Sequence, residues 1–73
     1  MSEPTSDPDA ELVKSTLSGR VTLCTDCIAR RIRIGTFRVE DAAQRLSATR
    51  VVISEVGRCE TCRVRALVHR LGA

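Results

Sequence analysis

Four cysteines fall into two C-x-x-C pairs, C-T-D-C at Cys24 and Cys27 and C-E-T-C at Cys59 and Cys62, with 31 residues between the pairs. Two residues between thiols let one tight turn aim both sulfurs at a common point, and two such turns supply the tetrahedral four-sulfur shell that zinc accepts. A single structural Zn2+ held by Cys24, Cys27, Cys59 and Cys62 is the first expectation. It dictates that the fold bring residues 24–27 and 59–62 together. Competing uses of the thiols are two disulfides, thioredoxin-like redox chemistry, and another metal such as iron. The acidic opening M-S-E-P-T-S-D-P-D-A-E lacks the apolar run of a secretory signal, which speaks against disulfides. A redox C-x-x-C works alone within a βαβ context for which the chain is short. His69 stands as a replacement ligand if one thiol stayed out, but its simpler reading is a polar residue on an exposed face.

A four-thiolate zinc has no open position for water or substrate, so the metal is expected to be structural and the protein not an enzyme. No serine, histidine and acid set and no phosphate loop can be assembled from these residues, and no small-molecule substrate is implied. The chain makes one small domain, and its folded part, about 55 residues, buries little apolar surface. A metal joining position 24 to position 62 contributes to folding directly in such a chain.

Charge is unevenly spread. Residues 1–19 carry Glu3, Asp7, Asp9 and Glu11 against Lys14, a balance of −3, whereas residues 20–73 carry eleven arginines against five acids, a balance of +6. The basic part suits phosphate, although four thiolates around a divalent cation subtract about two charges locally. Phe37 is the one aromatic residue, so the stacking platforms used on single strands are missing. No apolar run has the length of a membrane span, and a cytoplasmic protein with no membrane partner is expected.

Residues 1–8 read as a disordered acidic tail and 9–73 as the zinc-binding domain. Asp9 is the expected cap of a first helix over 10–18 carrying Leu12, Val13 and Leu17, stopped by Gly19. Val21 and Leu23 fit a short extended segment. A second helix opens at the first cysteine pair with Ile28 and Ile32 four apart, and Gly35 is expected to end it. Thr36 is expected to cap a third helix whose Val39, Ala42, Ala43 and Leu46 keep the i, i+3, i+4, i+7 spacing of one buried face. The β-branched run R-V-V-I-S-E-V and the returning R-V-R-A-L-V-H-R-L predict a hairpin with C-E-T-C near its tip. Val64, Leu67, Val68 and Leu71 also fit a helical stripe, and a terminal helix there would make a treble-clef-like zinc finger. The preferred fold is α+β: a zinc-stapled winged helix-turn-helix of three helices and a C-terminal β-hairpin.

The runs L-C-T-D-C-I-A, V-E-D-A-A-Q-R-L, V-I-S-E-V-G-R-C-E-T-C and L-V-H-R resemble a group of small bacterial winged-helix proteins over about residues 20–71. Those proteins open the second helix with L-C-x-x-C-L-A and carry a G-x-C-x-x-C wing. The resemblance implies a DNA-binding or regulatory role through the fold. The chain departs from the pattern at Arg63, where a small residue is expected, and at the acids Glu40 and Asp41 on the third helix. In the leading reading, duplex DNA meets Thr36, Arg38, Gln44 and Arg45 of helix three in the major groove. Arg30, Arg31 and Arg33 of helix two and Arg58, Arg63 and Arg65 of the wing contact phosphates. The alternative is a zinc-stabilised adaptor that docks a protein partner or a second copy of itself, which Glu40, Asp41 and the acidic tail suit better. The acidic stretch also has a role open to it as a phosphate mimic folded over the arginine face.

Overall fold

The computed structural model describes residues 7–72. Helix α1 spans Pro8–Leu17, and its cap is Asp7, whose carboxylate accepts the backbone N–H of Ala10 at 3.2 Å. The sequence D-P-D offers two acids as caps. Proline decides between them, because at the first helical position its missing N–H costs nothing and its fixed φ suits the helix. The cap therefore lies two residues before the expected Asp9, and the helix begins at Pro8 rather than residue 10. The expectation of a disordered tail falls mainly on residues 1–6, outside the described residues. Past the helix, Gly19 takes φ +88°, the left-handed conformation that costs glycine nothing.

Strand β1 is Leu23–Cys24, and α2 follows at once as Thr25–Ile32 with Cys24 as its cap. This helix stops two residues before Gly35. Arg33 adopts the left-handed conformation at φ 61°, and the N–H groups of Arg33 and Ile34 both donate to the carbonyl of Ala29. Gly35, not Thr36, is the cap of α3, Thr36–Ala48; the carbonyl of Gly35 accepts the first helical bond, from Val39. Strands β2, Val52–Arg58, and β3, Arg65–Leu71, pair antiparallel from Val52 opposite Leu71 to Arg58 opposite Arg65, with C-E-T-C in the turn. The last segment is a strand, so the treble-clef alternative with its terminal helix does not hold.

One pairing was not read from the sequence. β1 lies against β3 through Leu23 opposite His69 and Cys24 opposite Val68, giving a three-stranded antiparallel sheet in the order β1-β3-β2. Its core gathers Val13 and Leu17 of α1, Leu23, Ile28 of α2, Val39 and Ala42 of α3, and Val52 and Val68 of the hairpin. Each of the valine, leucine and isoleucine side chains among them contributes about 1.5–3 kcal/mol when fully buried. The core is aliphatic, since Phe37 is 79% exposed. Among the described residues no helix is long and apolar enough to cross a membrane.

His69 overturns its expected place on an exposed face, being only 1% exposed. Its Nε2 lies 2.8 Å from Oγ1 of Thr25, and its Nδ1 lies 2.7 Å from Oγ of Ser54. A neutral imidazole donates from one nitrogen and accepts at the other, so two hydroxyls satisfy it completely. The residue thus ties the first turn of α2 to β2 through β3. Burial holds its pKa below the ordinary histidine value, with Glu40 pulling the other way. The unfolded chain takes up a proton near pH 6.5 while the folded one resists it, so stability present above that pH is lost as pH falls. In urea unfolding of the metal-loaded protein between pH 7 and pH 5.5, stability should fall more steeply for the natural chain than for His69→Gln. The common loss from thiolate protonation cancels in that difference, and parallel slopes would contradict a buried neutral imidazole.

Candidate metal centre

Each cysteine pair sits where local backbone geometry turns its sulfurs inward. Cys24 ends β1 and caps α2, which places Cys27 in the first helical turn, where the helix dipole favours a thiolate. The second pair occupies the β2–β3 turn, closed by the Cys59 N–H donating to the Val64 carbonyl at 3.1 Å and the Arg63 N–H donating to the Cys59 carbonyl at 3.0 Å. The two turns are also clasped to each other. The Glu60 N–H donates to the Thr22 carbonyl at 2.9 Å, and the Thr22 N–H donates to the Glu60 carboxylate at 3.0 Å.

The four sulfurs lie within 4.8 Å of one another, with Cys24 to Cys62 at 3.7 Å and Cys27 to Cys59 at 3.5 Å. These separations are far longer than an S–S bond of about 2.05 Å. They match the edge of a tetrahedron, about 3.8 Å, that follows from zinc–sulfur bonds of about 2.3 Å. The four cysteines are thus positioned to hold one metal ion. His69 is not among the ligands, because both its nitrogens are taken by hydroxyls.

Electrostatics explain why the site suits a cation. Burial raises the Cys24 thiol, and burial together with the neighbouring sulfurs pushes Cys27 up to about 12. Burial also opposes ionisation of Cys59, but the backbone N–H groups of Cys62, Cys24 and Thr61 outweigh it and hold that thiol down to about 6. One thiolate is therefore favoured by hydrogen bonds, chiefly from the backbone. Four in one shell need a positive ion, which then makes metal binding part of the folding free energy.

Arg63, the residue following the second pair, adopts φ 65°. This explains the small residue expected there: the turn requires a left-handed backbone, and a Cβ at that position costs about 1–2 kcal/mol. Glycine would remove the cost.

The residues assigned to nucleic acid separate into distinct places. Thr36 and Gln44 are exposed on α3, as are Glu40 and Asp41. Arg38 and Arg45 are held by α1: both oxygens of Asp9 accept from Arg38 at 2.6 and 3.0 Å, and both oxygens of Asp7 accept from Arg45 at 2.7 and 3.0 Å. Asp41 also pairs with Arg45. Asp7 and Asp9 thus pair with two arginines of α3, and the rest of the acidic tail, residues 1–6, lies outside the described residues. Sequence spacing alone gave no signal of these pairs, since 29 and 38 residues separate the partners. Arg30, Arg31, Arg33, Arg58, Arg63 and Arg65 are exposed and form no ion pair among the described residues.

Cys24→Ser and Cys59→Ser should each lower bound metal from one ion per chain toward zero and collapse the amide dispersion of the NMR spectrum. The metal term, about 10–16 kcal/mol in zinc-finger peptides, exceeds what so small a core supplies. A dispersed spectrum from metal-free Cys59→Ser would show that the core folds without the centre. Arg63→Gly should raise the unfolding free energy of the loaded protein by about 1 kcal/mol, read from the denaturant midpoint at constant slope.

Comparison of this chain with family models, with curated proteins and with solved structures finds no match.

Proposed function

We propose that the centre holds one structural Zn2+ and that the domain is a winged helix-turn-helix that binds duplex DNA in the manner of a transcription regulator. Sulfur spacing and the closed four-thiolate shell support zinc, and a reducing cytoplasm would keep the thiols available to it. The order α1-β1-α2-α3-β2-β3 with strands β1-β3-β2 supports the winged-helix reading. So does the short connection from Arg33 to Gly35 that joins α2 to α3. In that reading α3 is the recognition helix and the metal-stapled hairpin is the wing.

The observation that carries the DNA reading is that Arg30, Arg31, Arg33, Arg58, Arg63 and Arg65, six of the eight exposed arginines without an ion pair among the described residues, lie on α2, its C-terminal cap, the hairpin and its turn. Guanidinium groups left free on α2 and the hairpin suit the phosphates that flank a bound helix. A second reading is favoured by different side chains. Phe37, Val56, Val64 and Leu67 are large, apolar and exposed, with Val56 directly opposite Leu67 on the hairpin. Such a surface suits a protein partner or a second copy of the chain.

An amide NMR titration of the zinc-loaded protein with a mixed-sequence duplex tests the two. Salt-sensitive shifts on α2, the hairpin and the exposed side of α3 are expected for DNA binding. A spectrum unchanged at low salt would overturn it and leave the apolar surface as the better guide.

A further inference from the structure

The ion pairs divide the arginines into two sets. Arg38 and Arg45 each present both nitrogens of a planar fork to one carboxylate of α1, which is the geometry in which they would take a phosphate. These two are already answered, and Asp9, with 18% of its side chain exposed, is well seated in its pair.

Of the arginines without an ion pair among the described residues, five gather at the metal end, while Arg20, Arg33 and Arg50 stand apart from it. Arg58 and Arg65 stand directly opposite each other across β2 and β3, an arrangement in which like charges repel. Arg63 lies in the turn between them, keeping a charged side chain at a backbone position where glycine would be unstrained. Arg58 and Arg63 line one hollow with Cys59 and Glu60, and Arg30 and Arg31 line another with Cys27 and Thr61. Three acids lie close by, and one of them, Glu40 of α3, lines a hollow with Arg30, Asp26 and the sulfurs of Cys24, Cys27 and Cys62. Glu60 is engaged by the Thr22 N–H, and Asp26 sits in the first turn of α2. Five guanidinium groups balance these three carboxylates together with the charge of about −2 on a zinc tetrathiolate, so what sets this end apart is that none of the five is tied in an ion pair among the described residues.

We propose that this metal end, Arg30, Arg31, Arg58, Arg63 and Arg65, is the surface that grips the phosphate backbone of duplex DNA, while Arg38 and Arg45 are held back by Asp9 and Asp7. The inference rests on the DNA-binding reading above and assigns its affinity to one face. Each phosphate neutralised releases counterions and adds about 0.9 to the slope of log affinity against log salt. The metal matters to this surface because it fixes the turn that spaces Arg58, Arg63 and Arg65.

Fluorescence anisotropy of the zinc-loaded full chain with a labelled mixed-sequence duplex, over a series of salt concentrations, tests the assignment. Arg58→Gln/Arg63→Gly/Arg65→Gln should weaken binding at low salt by about tenfold or more and reduce the salt slope by about 2 to 3. Arg30→Gln/Arg31→Gln leaves the turn untouched and should reduce the slope by about 1 to 2. Arg38→Gln/Arg45→Gln/Asp7→Asn/Asp9→Asn keeps the net charge and leaves an asparagine able to cap α1. It should bind within about threefold of the natural chain with the same slope. Zinc content and thermal unfolding establish that each variant is folded. Equal or greater loss in the α1–α3 variant, or natural affinity in both metal-end variants, would overturn the assignment and leave the DNA reading standing. Displacement of the duplex by polyglutamate as effectively as by unlabelled duplex would overturn it in favour of an acidic protein partner. Failure of the natural chain to bind any duplex at low salt would overturn the DNA reading itself.

Discussion

The convergence of four sulfurs is the constraint on which the other parts depend. It joins the end of β1 and the start of α2 to the β2–β3 turn, and so fixes the hairpin against the helices at its far end. Without a cation the site is at odds with itself. Burial holds Cys24 and Cys27 in the thiol form while the backbone draws Cys59 toward thiolate. A divalent ion resolves that conflict by stabilising all four anions at once. At the other end of the hairpin the work is done without metal, by Val52 and Val68 in the core and by His69 bonded to Thr25 and Ser54. The sheet is thus fastened at its base by packing and hydrogen bonds, and at its tip the four sulfurs are positioned to fasten it a second time through a metal.

Thr25 belongs to both fastenings. It lies within C-T-D-C, between the two sulfur ligands of the first pair, and its hydroxyl meets the buried imidazole. A hydroxyl here satisfies a nitrogen that would otherwise be buried without a partner, at a cost of about 1–3 kcal/mol. The first turn of α2 is consequently held by metal ligands on either side and by His69 from β3.

What the sequence made legible was what is encoded locally. The spacing within each C-x-x-C, the helical stripe of Val39, Ala42, Ala43 and Leu46, and the β-branched run before Gly57 each carry their geometry in a few adjacent residues, and each takes the expected form. The helix ends shifted by one or two residues because neighbouring side chains compete for the same role. Asp7 outdid Asp9 with the help of Pro8, and Arg33 bent the chain before Gly35 was reached. Two features were not legible for a different reason. The burial of His69 depends on β1 lying opposite it and on Ser54 in the adjoining strand, and a lone histidine carries no local sign of either. The pairing of α1 with Arg38 and Arg45 likewise arises from the packing of two helices far apart in sequence.

That packing changes what the positive charge of the chain means. A count of arginines treats Arg38, Arg45 and Arg70 as available, but each meets a carboxylate, in Asp9, in Asp7 and Asp41, and in Glu55 respectively. Exposed pairs of this kind add little stability, so their main consequence is to cancel the charge of these three arginines. Five of the uncancelled arginines, Arg30, Arg31, Arg58, Arg63 and Arg65, are left around the cysteine turns, on a stretch of backbone that the metal would hold rigid. A charged surface on a rigid frame loses less conformational entropy when it meets a regularly spaced partner than the same charges on a mobile loop. On the DNA-binding reading the structural metal therefore serves recognition as well as folding, because it fixes where the free guanidinium groups stand.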